Sequence, residues 1–115
     1  MRQHTRVAFR SIFRIKVFDA TKNQLIGYVA DVSATGLRML SDAAMVAGTE
    51  RTLRLKMRVR EDEMLQMDIQ VRCMWSRPND KTGHFESGFT LVSQSAEFAK
   101  LIDDLLALRA RASEA

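Results

Sequence analysis

The side chains of this chain with the most distinctive chemical potential form two short groups. Arg2 and Arg6 stand four positions apart, and Asp31, Ser33 and Gly36 follow with the spacing Asp-x-Ser-x-x-Gly. An Arg guanidinium is a planar fork of donors that matches guanine O6 and N7 or a phosphate. A carboxylate such as that of Asp31 can accept hydrogen bonds from N1–H and N2–H of a guanine. The two groups together therefore favour a site for guanine.

Each group also has an ordinary structural explanation. Arg2 and Arg6 would be unremarkable as solvated charges near a chain terminus. Asp31 and Ser33 suit a turn, because their side chains bond to nearby backbone groups, and Gly36 tolerates a positive φ. What favours a shared site is the order of the two groups, with strand patterns between and after them.

The elements that would position these residues are short antiparallel strands. Apolar and polar residues alternate over much of the chain, and strands are predicted at residues 9–18, 25–32, 37–41, 53–60, 65–75 and 85–91. Turns or loops are predicted at residues 20–24, 42–49 and 78–83. A helix is expected over 95–109, with Ser95 as its N-cap. Six short strands leave edges that must be closed or covered, which favours a small barrel with the helix packed on it.

The hairpin between the fourth and fifth predicted strands can be given a register. In both strands the apolar residues occupy odd positions, so one face is expected to be buried. If Glu61–Glu63 forms the turn, parity sets Leu55 opposite Ile69 and Lys56 opposite Asp68. Apolar side chains would then meet inside, and opposite charges would meet outside.

Trp75 has two possible roles. It falls in register with the buried positions of its strand, which favours a place in the core. It also ends that strand, where its ring could flank a guanine, so it is a reserve candidate for the site.

Cys73 is expected to be a small buried hydrophobe. The basic positions of residues 54–60 are typical of a solvent-facing strand, and no aromatic residue interleaves them, so nucleic acid is not an expected partner.

The composition narrows the function classes. The 115 residues, 46% of them hydrophobic, predict one domain with its own core. Cys73 is the single cysteine, and the two histidines, His4 and His84, have no metal-site spacing, so neither a disulfide nor a metal is expected. No nucleophile and base stand at a catalytic spacing, which predicts no enzyme. The net charge of +4 favours an anionic partner.

Localisation is inferred from what the sequence lacks. No apolar run approaches the length of a membrane span, and no charged and then apolar leader with a small-residue cleavage site begins the chain. A soluble cytoplasmic protein without membrane insertion is the expectation.

The pair Arg2-x-x-x-Arg6 and Asp31-x-Ser33-x-x-Gly36, with a strand between, resembles the PilZ domain, a bacterial receptor module for cyclic di-GMP. The resemblance covers nearly the whole chain. It implies a mainly β fold, a six-stranded antiparallel β-barrel with a C-terminal α-helix, in a single domain over 1–115. Its parts would be a flexible ligand-clamping segment at 1–8, the barrel at 9–92 and the helix at 95–109.

The resemblance also implies a function. Cyclic di-GMP would be held by Arg2, Arg6, Asp31, Ser33 and Gly36, with no further cofactor. Binding would order the N-terminal segment and so change contact with a downstream protein partner of unknown identity. One alternative is a PilZ-like protein-interaction module of pilus or flagellar motility that leaves the nucleotide site unused. Another is a basic barrel that binds RNA or DNA.

Overall fold

The computed structural model of the chain describes residues 7–8 and 15–104, and for residues 7, 8, 59 and 60 the backbone alone. The strands are β1 (Val7–Ala8), β2 (Ile15–Asp19), β3 (Gln24–Ser33), β4 (Gly36–Ser41), β5 (Glu50–Arg60), β6 (Glu63–Asn79) and β7 (His84–Leu91). Residues 96–104 form helix α1. The predicted segment 1–8 is described only at Val7–Ala8. Residues 9–14 of the first predicted strand and 105–109 of the helix lie outside the described residues.

The strands form one closed antiparallel sheet. Their order is β1-β3-β2-β5-β6-β7-β4, and β4 also pairs with β3. Six strands, β2 to β7, therefore make a ring, and β1 adds to β3 beside β2. Closure pairs the edges that an open sheet would leave exposed. The predicted mainly β, six-stranded antiparallel fold with a C-terminal helix is confirmed.

The core lies inside the ring and under α1. Alternation along the strands buries one residue in two, as in Leu53, Leu55 and Met57 of β5. From α1 the buried side chains are Phe98, Leu101 and Ile102. Ser95 Oγ accepts a hydrogen bond of 3.1 Å from the backbone N–H of Phe98, which confirms the predicted N-cap.

The predicted register of the β5–β6 hairpin is wrong by two residues. Leu55 lies opposite Met67, and Arg54, not Lys56, lies opposite Asp68. The reason is a shorter turn, because Glu63 already pairs with Arg60 and the register shifts just before that pair. A slip of two keeps every side chain on its predicted face, so the pattern of burial could not reveal the error.

The prediction of a loop over 78–83 is also wrong at its start, because β6 continues through Pro78 to Asn79. Pro78 pairs with Phe85 of β7, whereas β5 begins at Glu50, opposite Arg72. Beyond that point β6 has a ladder neighbour on one side only, and an edge position tolerates a residue without N–H. The turn follows, with Asn79 Oδ1 accepting from the backbone N–H of Lys81 at 2.9 Å.

The register can be checked by the titration of Asp68. Its oxygens accept hydrogen bonds from Arg54, which lowers the pKa of the carboxyl below its ordinary value of 3.8. A lowered folded-state pKa stabilises the fold above the ordinary pKa, and this contribution is lost as the pH falls through the lowered value. We expect Arg54→Gln to raise the pKa of Asp68, measured by carboxyl NMR titration. Lys56→Gln is the matched control and should leave it unchanged, and the reverse result would restore the predicted register.

Candidate functional site

The outer face of the sheet carries one row of four residues on neighbouring strands. Asp31 of β3 lies opposite Arg38 of β4, Arg38 lies opposite Gly88 of β7, and Gly88 lies opposite Trp75 of β6. We call these four residues the central row. Two residues that lie far apart in sequence, Asp31 and Trp75, thus belong to one surface.

Two β-bulges put the ends of the central row on that surface. The register of β3 shifts between Val29 and Asp31, and that of β6 shifts between Cys73 and Trp75. Val29 and Cys73 are buried in the core at 5% and 1% exposure. A residue two positions further along a regular strand would share their face, but one inserted residue reverses it. The expectation that Trp75 packs in the core is therefore wrong, since its side chain is half-buried on the outer face, and its role as a reserve candidate for the site stays a prediction.

A pocket of about 570 Å³ lies over the central row. Its lining includes Asp31, Gly36, Arg38, Trp75 and Gly88. The other lining residues are Thr35, Leu37, Met74, Arg77, Phe89 and Thr90. The lining thus combines a carboxylate, guanidinium groups, an aromatic ring and exposed backbone, which are the groups that recognise a nucleobase.

The indole of Trp75 occupies the space that Gly88 leaves open. A Cβ on Gly88 would stand 2.3 Å from Trp75 Nε1, so only a residue without a side chain fits next to the ring in this position. The Arg77 guanidinium lies over the ring, with Cζ 4.6 Å from the centroid. Sequence reasoning missed Gly88 and Arg77, and their outward register beside Trp75 becomes visible only once the bulge is known.

A cluster of charged and polar side chains joins four strands beside the pocket. Arg38 Nε donates to Asp31 Oδ2 at 2.8 Å, and Arg38 Nη1 donates to Glu86 Oε1. Asn79 Nδ2 donates to Glu86 Oε2 at 2.9 Å. We call Asp31, Arg38, Glu86 and Asn79 the ion-pair cluster. Buried carboxylates are tolerated when they are paired and hydrogen-bonded, as both acids are here.

Sequence reasoning placed Asp31 at the site but missed the other three members of the ion-pair cluster. Arg38 follows Gly36 by two positions, so the outward face of the predicted strand 37–41 was an available signal. Glu86 and Asn79 gave no comparable signal, because their approach depends on the extension of β6 beyond the predicted loop start.

Ser33 and Gly36 lie directly opposite each other at the β3–β4 turn. Ser33 is buried at 3% exposure. The φ angle of Gly36 is not positive, so the expected need for a special turn conformation is wrong. Its glycine has a packing reason instead, because a Cβ there would stand 2.1 Å from the backbone oxygen of Phe89. Gly36 thus allows β7 to approach β4 closely at the edge of the pocket.

The candidate residues Arg2 and Arg6 lie outside the described residues. Their covalent continuation is described at β1, where Val7 pairs with Val32 and Ala8 pairs with Asp31. The backbone that follows Arg6 therefore runs beside the strand end that carries Asp31 and Ser33.

The family model of the PilZ domain matches residues 1–108. The chain belongs to the PilZ family. No curated protein sequence matches it significantly.

Solved structures share the fold of this PilZ chain at low sequence identity. They include the PilZ domain with c-di-GMP of YcgR from Escherichia coli, at 12% identity and a TM-score of 0.65, covering 98% of this chain and 95% of that chain. YcgR in complex with c-di-GMP from Escherichia coli matches at 14% identity and a TM-score of 0.69, covering 98% of this chain and 48% of that chain. The Bacillus subtilis inhibitor of motility, MotI/DgrA, matches at 14% identity and a TM-score of 0.66, covering 96% of this chain and 52% of that chain. The PilZ chain thus spans about half the length of two of these structures.

The described part of the PilZ chain contains no helix that is both long and apolar enough to cross a membrane. Nor do its His, Cys, Asp and Glu residues gather in any group of three or more that could hold a metal ion.

The two glycines of the site should respond differently to alanine. Gly36→Ala pushes a Cβ against backbone, which cannot rotate away, so we expect the free energy of unfolding to fall by about 1 to 3 kcal/mol in urea denaturation. Gly88→Ala meets the Trp75 side chain, which can move. Because Trp75 is the single tryptophan, this variant should shift the native fluorescence emission while Gly36→Ala leaves it nearer that of the wild type. Equal loss of stability without any change in emission would contradict the packing of Trp75 on Gly88.

Proposed function

We propose that this PilZ chain is a receptor that binds cyclic di-GMP on the outer face of β3, β4, β7 and β6. The observation that carries the proposal is the central row, which gathers a carboxylate, a guanidinium and an indole around one pocket beside the chain segment that follows Arg6. Family membership and the folds of two YcgR structures that contain c-di-GMP support the same ligand.

The described lining suits a guanine base. The Trp75 indole and the Arg77 guanidinium present flat faces for stacking. Asp31 supplies carboxylate oxygen, which can accept from the N1–H and N2–H edge of guanine. Ser33 stands at the same end of β3 and, with Gly36, completes the predicted base-binding side of the site.

The phosphates of the ligand need further cations. Among the described residues of the lining, Arg38 already pairs with two carboxylates, and Arg77 stacks on Trp75. Cyclic di-GMP carries two phosphate charges, so two more guanidinium groups would balance it. Arg2 and Arg6 are proposed to supply them, from a segment that β1 leads alongside Asp31.

The proposed output is mechanical. Closure of the N-terminal segment over the ligand would change the surface beside β1 and so the contact with a protein partner, without a chemical reaction. This agrees with the site, which is a stacking and hydrogen-bonding surface, and with a cytoplasmic receptor. The similar fold of an inhibitor of motility makes motility a reasonable setting for the partner.

The ligand can be tested by calorimetry and by the fluorescence of Trp75. We expect wild-type protein to bind cyclic di-GMP and to change its tryptophan emission, because the ligand would lie against the single indole. Trp75→Phe should remove the optical signal while calorimetry still detects binding. No heat and no change in emission with the wild type would overturn the nucleotide role and favour the protein-interaction module.

The clamp can be tested by removing one guanidinium. Arg6→Ala should weaken cyclic di-GMP binding by about 1.5 to 3 kcal/mol, the range of a hydrogen bond to a charged group, or roughly tenfold or more in Kd. Arg58→Ala is the matched control, because it removes the same charge from β5, outside the four strands of the pocket. Equal affinities of Arg6→Ala and Arg58→Ala would remove Arg6 from the site.

A further inference from the structure

The Arg38 guanidinium is held on two sides within the candidate site. Asp31 accepts from its Nε at 2.8 Å, and Glu86 accepts from its Nη1. Glu86 is itself held by Asn79 Nδ2 at 2.9 Å. The plane and the direction of the guanidinium are therefore set by three side chains from three different strands.

The Arg38 guanidinium has N–H donors that these hydrogen bonds do not use. A guanidinium has five N–H groups, and the two hydrogen bonds to Asp31 and Glu86 use one on Nε and one on Nη1. No other partner of Arg38 is found among the described residues, so the donors of Nη2 are available to a ligand. Arg38 lines the pocket with its side chain 36% exposed, whereas Asp31 and Glu86 are each only 7% exposed as residues.

The charge of the ion-pair cluster selects the part of the ligand that fits here. The Arg38 guanidinium already shares its charge between two carboxylates, which makes it a weaker site for a phosphate than an unpaired guanidinium would be. A neutral base that offers both acceptors and donors is compatible with it. Guanine offers acceptors at O6 and N7 and donors at N1 and N2, whereas adenine has a donor amino group at C6.

We propose that Arg38 determines the base specificity of this site by donating to the purine acceptor at C6, and that Glu86 is the residue that positions Arg38. This inference rests on the proposed cyclic di-GMP function. An adenine in the same place would set its amino donors against the Arg38 donors and leave the guanidinium edge without an acceptor, a mismatch that binding sites reject strongly.

A purely structural role for Arg38 would have a different signature. Removal of the guanidinium takes away the counter-charge that Asp31 and Glu86 share, which lowers stability whether or not a base is bound. Such a loss would weaken all ligands of the pocket alike. The diagnostic quantity is therefore the ratio of the affinities for cyclic di-GMP and cyclic di-AMP, and not the affinity for either ligand alone.

The test compares Arg38→Lys and Arg38→Gln with the wild type by calorimetry against both cyclic dinucleotides. Lysine keeps the counter-charge for Asp31 and Glu86 but lacks the planar fork, so this variant is expected to fold. We expect the preference for cyclic di-GMP to fall about tenfold or more in each variant, the range of one lost base contact. Arg77→Gln is the matched control, since its contact with the Trp75 ring should affect both ligands by similar factors.

Glu86→Gln tests the positioning role separately. The amide keeps the size of the side chain but loses the charge that holds Arg38, so the preference should fall by less than in Arg38→Gln while the melting temperature changes little. A preference equal to that of the wild type in both Arg38 variants would overturn this inference and leave the receptor function intact. Absence of cyclic di-GMP binding by the wild type would overturn the receptor function, and this inference with it.

Discussion

The outer-face site depends on the two-residue period of the β-strand and on two places where that period is broken. Without the shift before Asp31, its carboxylate would lie on the same face as Val29, inside an apolar core. Burial of an unpaired carboxylate in such a place costs several kcal/mol or forces its protonation. The shift before Trp75 likewise turns the indole away from the face of Cys73. Each bulge leaves one residue out of the ladder, and both bulges place a residue of the central row on the outer face.

Arg38 is the electrostatic centre of this row. Asp31 and Glu86 come from strands on either side of it and are each 7% exposed, and both accept a hydrogen bond from its guanidinium, while Glu86 also accepts one from the Asn79 amide. Such an arrangement contributes more to geometry than to stability, because the cost of desolvating the ions offsets most of their attraction. Gly88 completes the row by leaving room for the Trp75 ring beside Arg38. The four side chains of the ion-pair cluster are thus directed by their neighbours.

Some features of the fold and of the candidate site could be predicted from the residues and others could not, because each sequence pattern encodes only part of the structure. Strand faces follow from alternation, so the burial of Leu55 and Met67 was predictable even though their pairing was not. A slip of two residues, or a strand that runs on through Pro78, leaves that alternation unchanged and depends on turn and edge geometry instead. The outward direction of Trp75 could not be predicted, because the bulge before it inserts one residue and so reverses the alternation of faces. No distinctive residue type marks that bulge. Asp31, Ser33 and Gly36 were predicted from their family spacing, whereas Glu86 and Asn79 come to the candidate site only through tertiary pairing.

Strand lengths explain why the N-terminal segment has a place beside the site. β3 has ten residues and β2 only five, and β2 pairs with β3 no further than Tyr28. The second half of β3 would therefore present unpaired backbone on that side, and β1 pairs with it at Val32 and Asp31. The ring of β2 to β7 is already closed without β1, so this short pairing can form or be lost without opening the core. In the described part of the chain, β1 therefore lies outside the closed ring and beside the end of β3 that carries Asp31, next to the polar pocket.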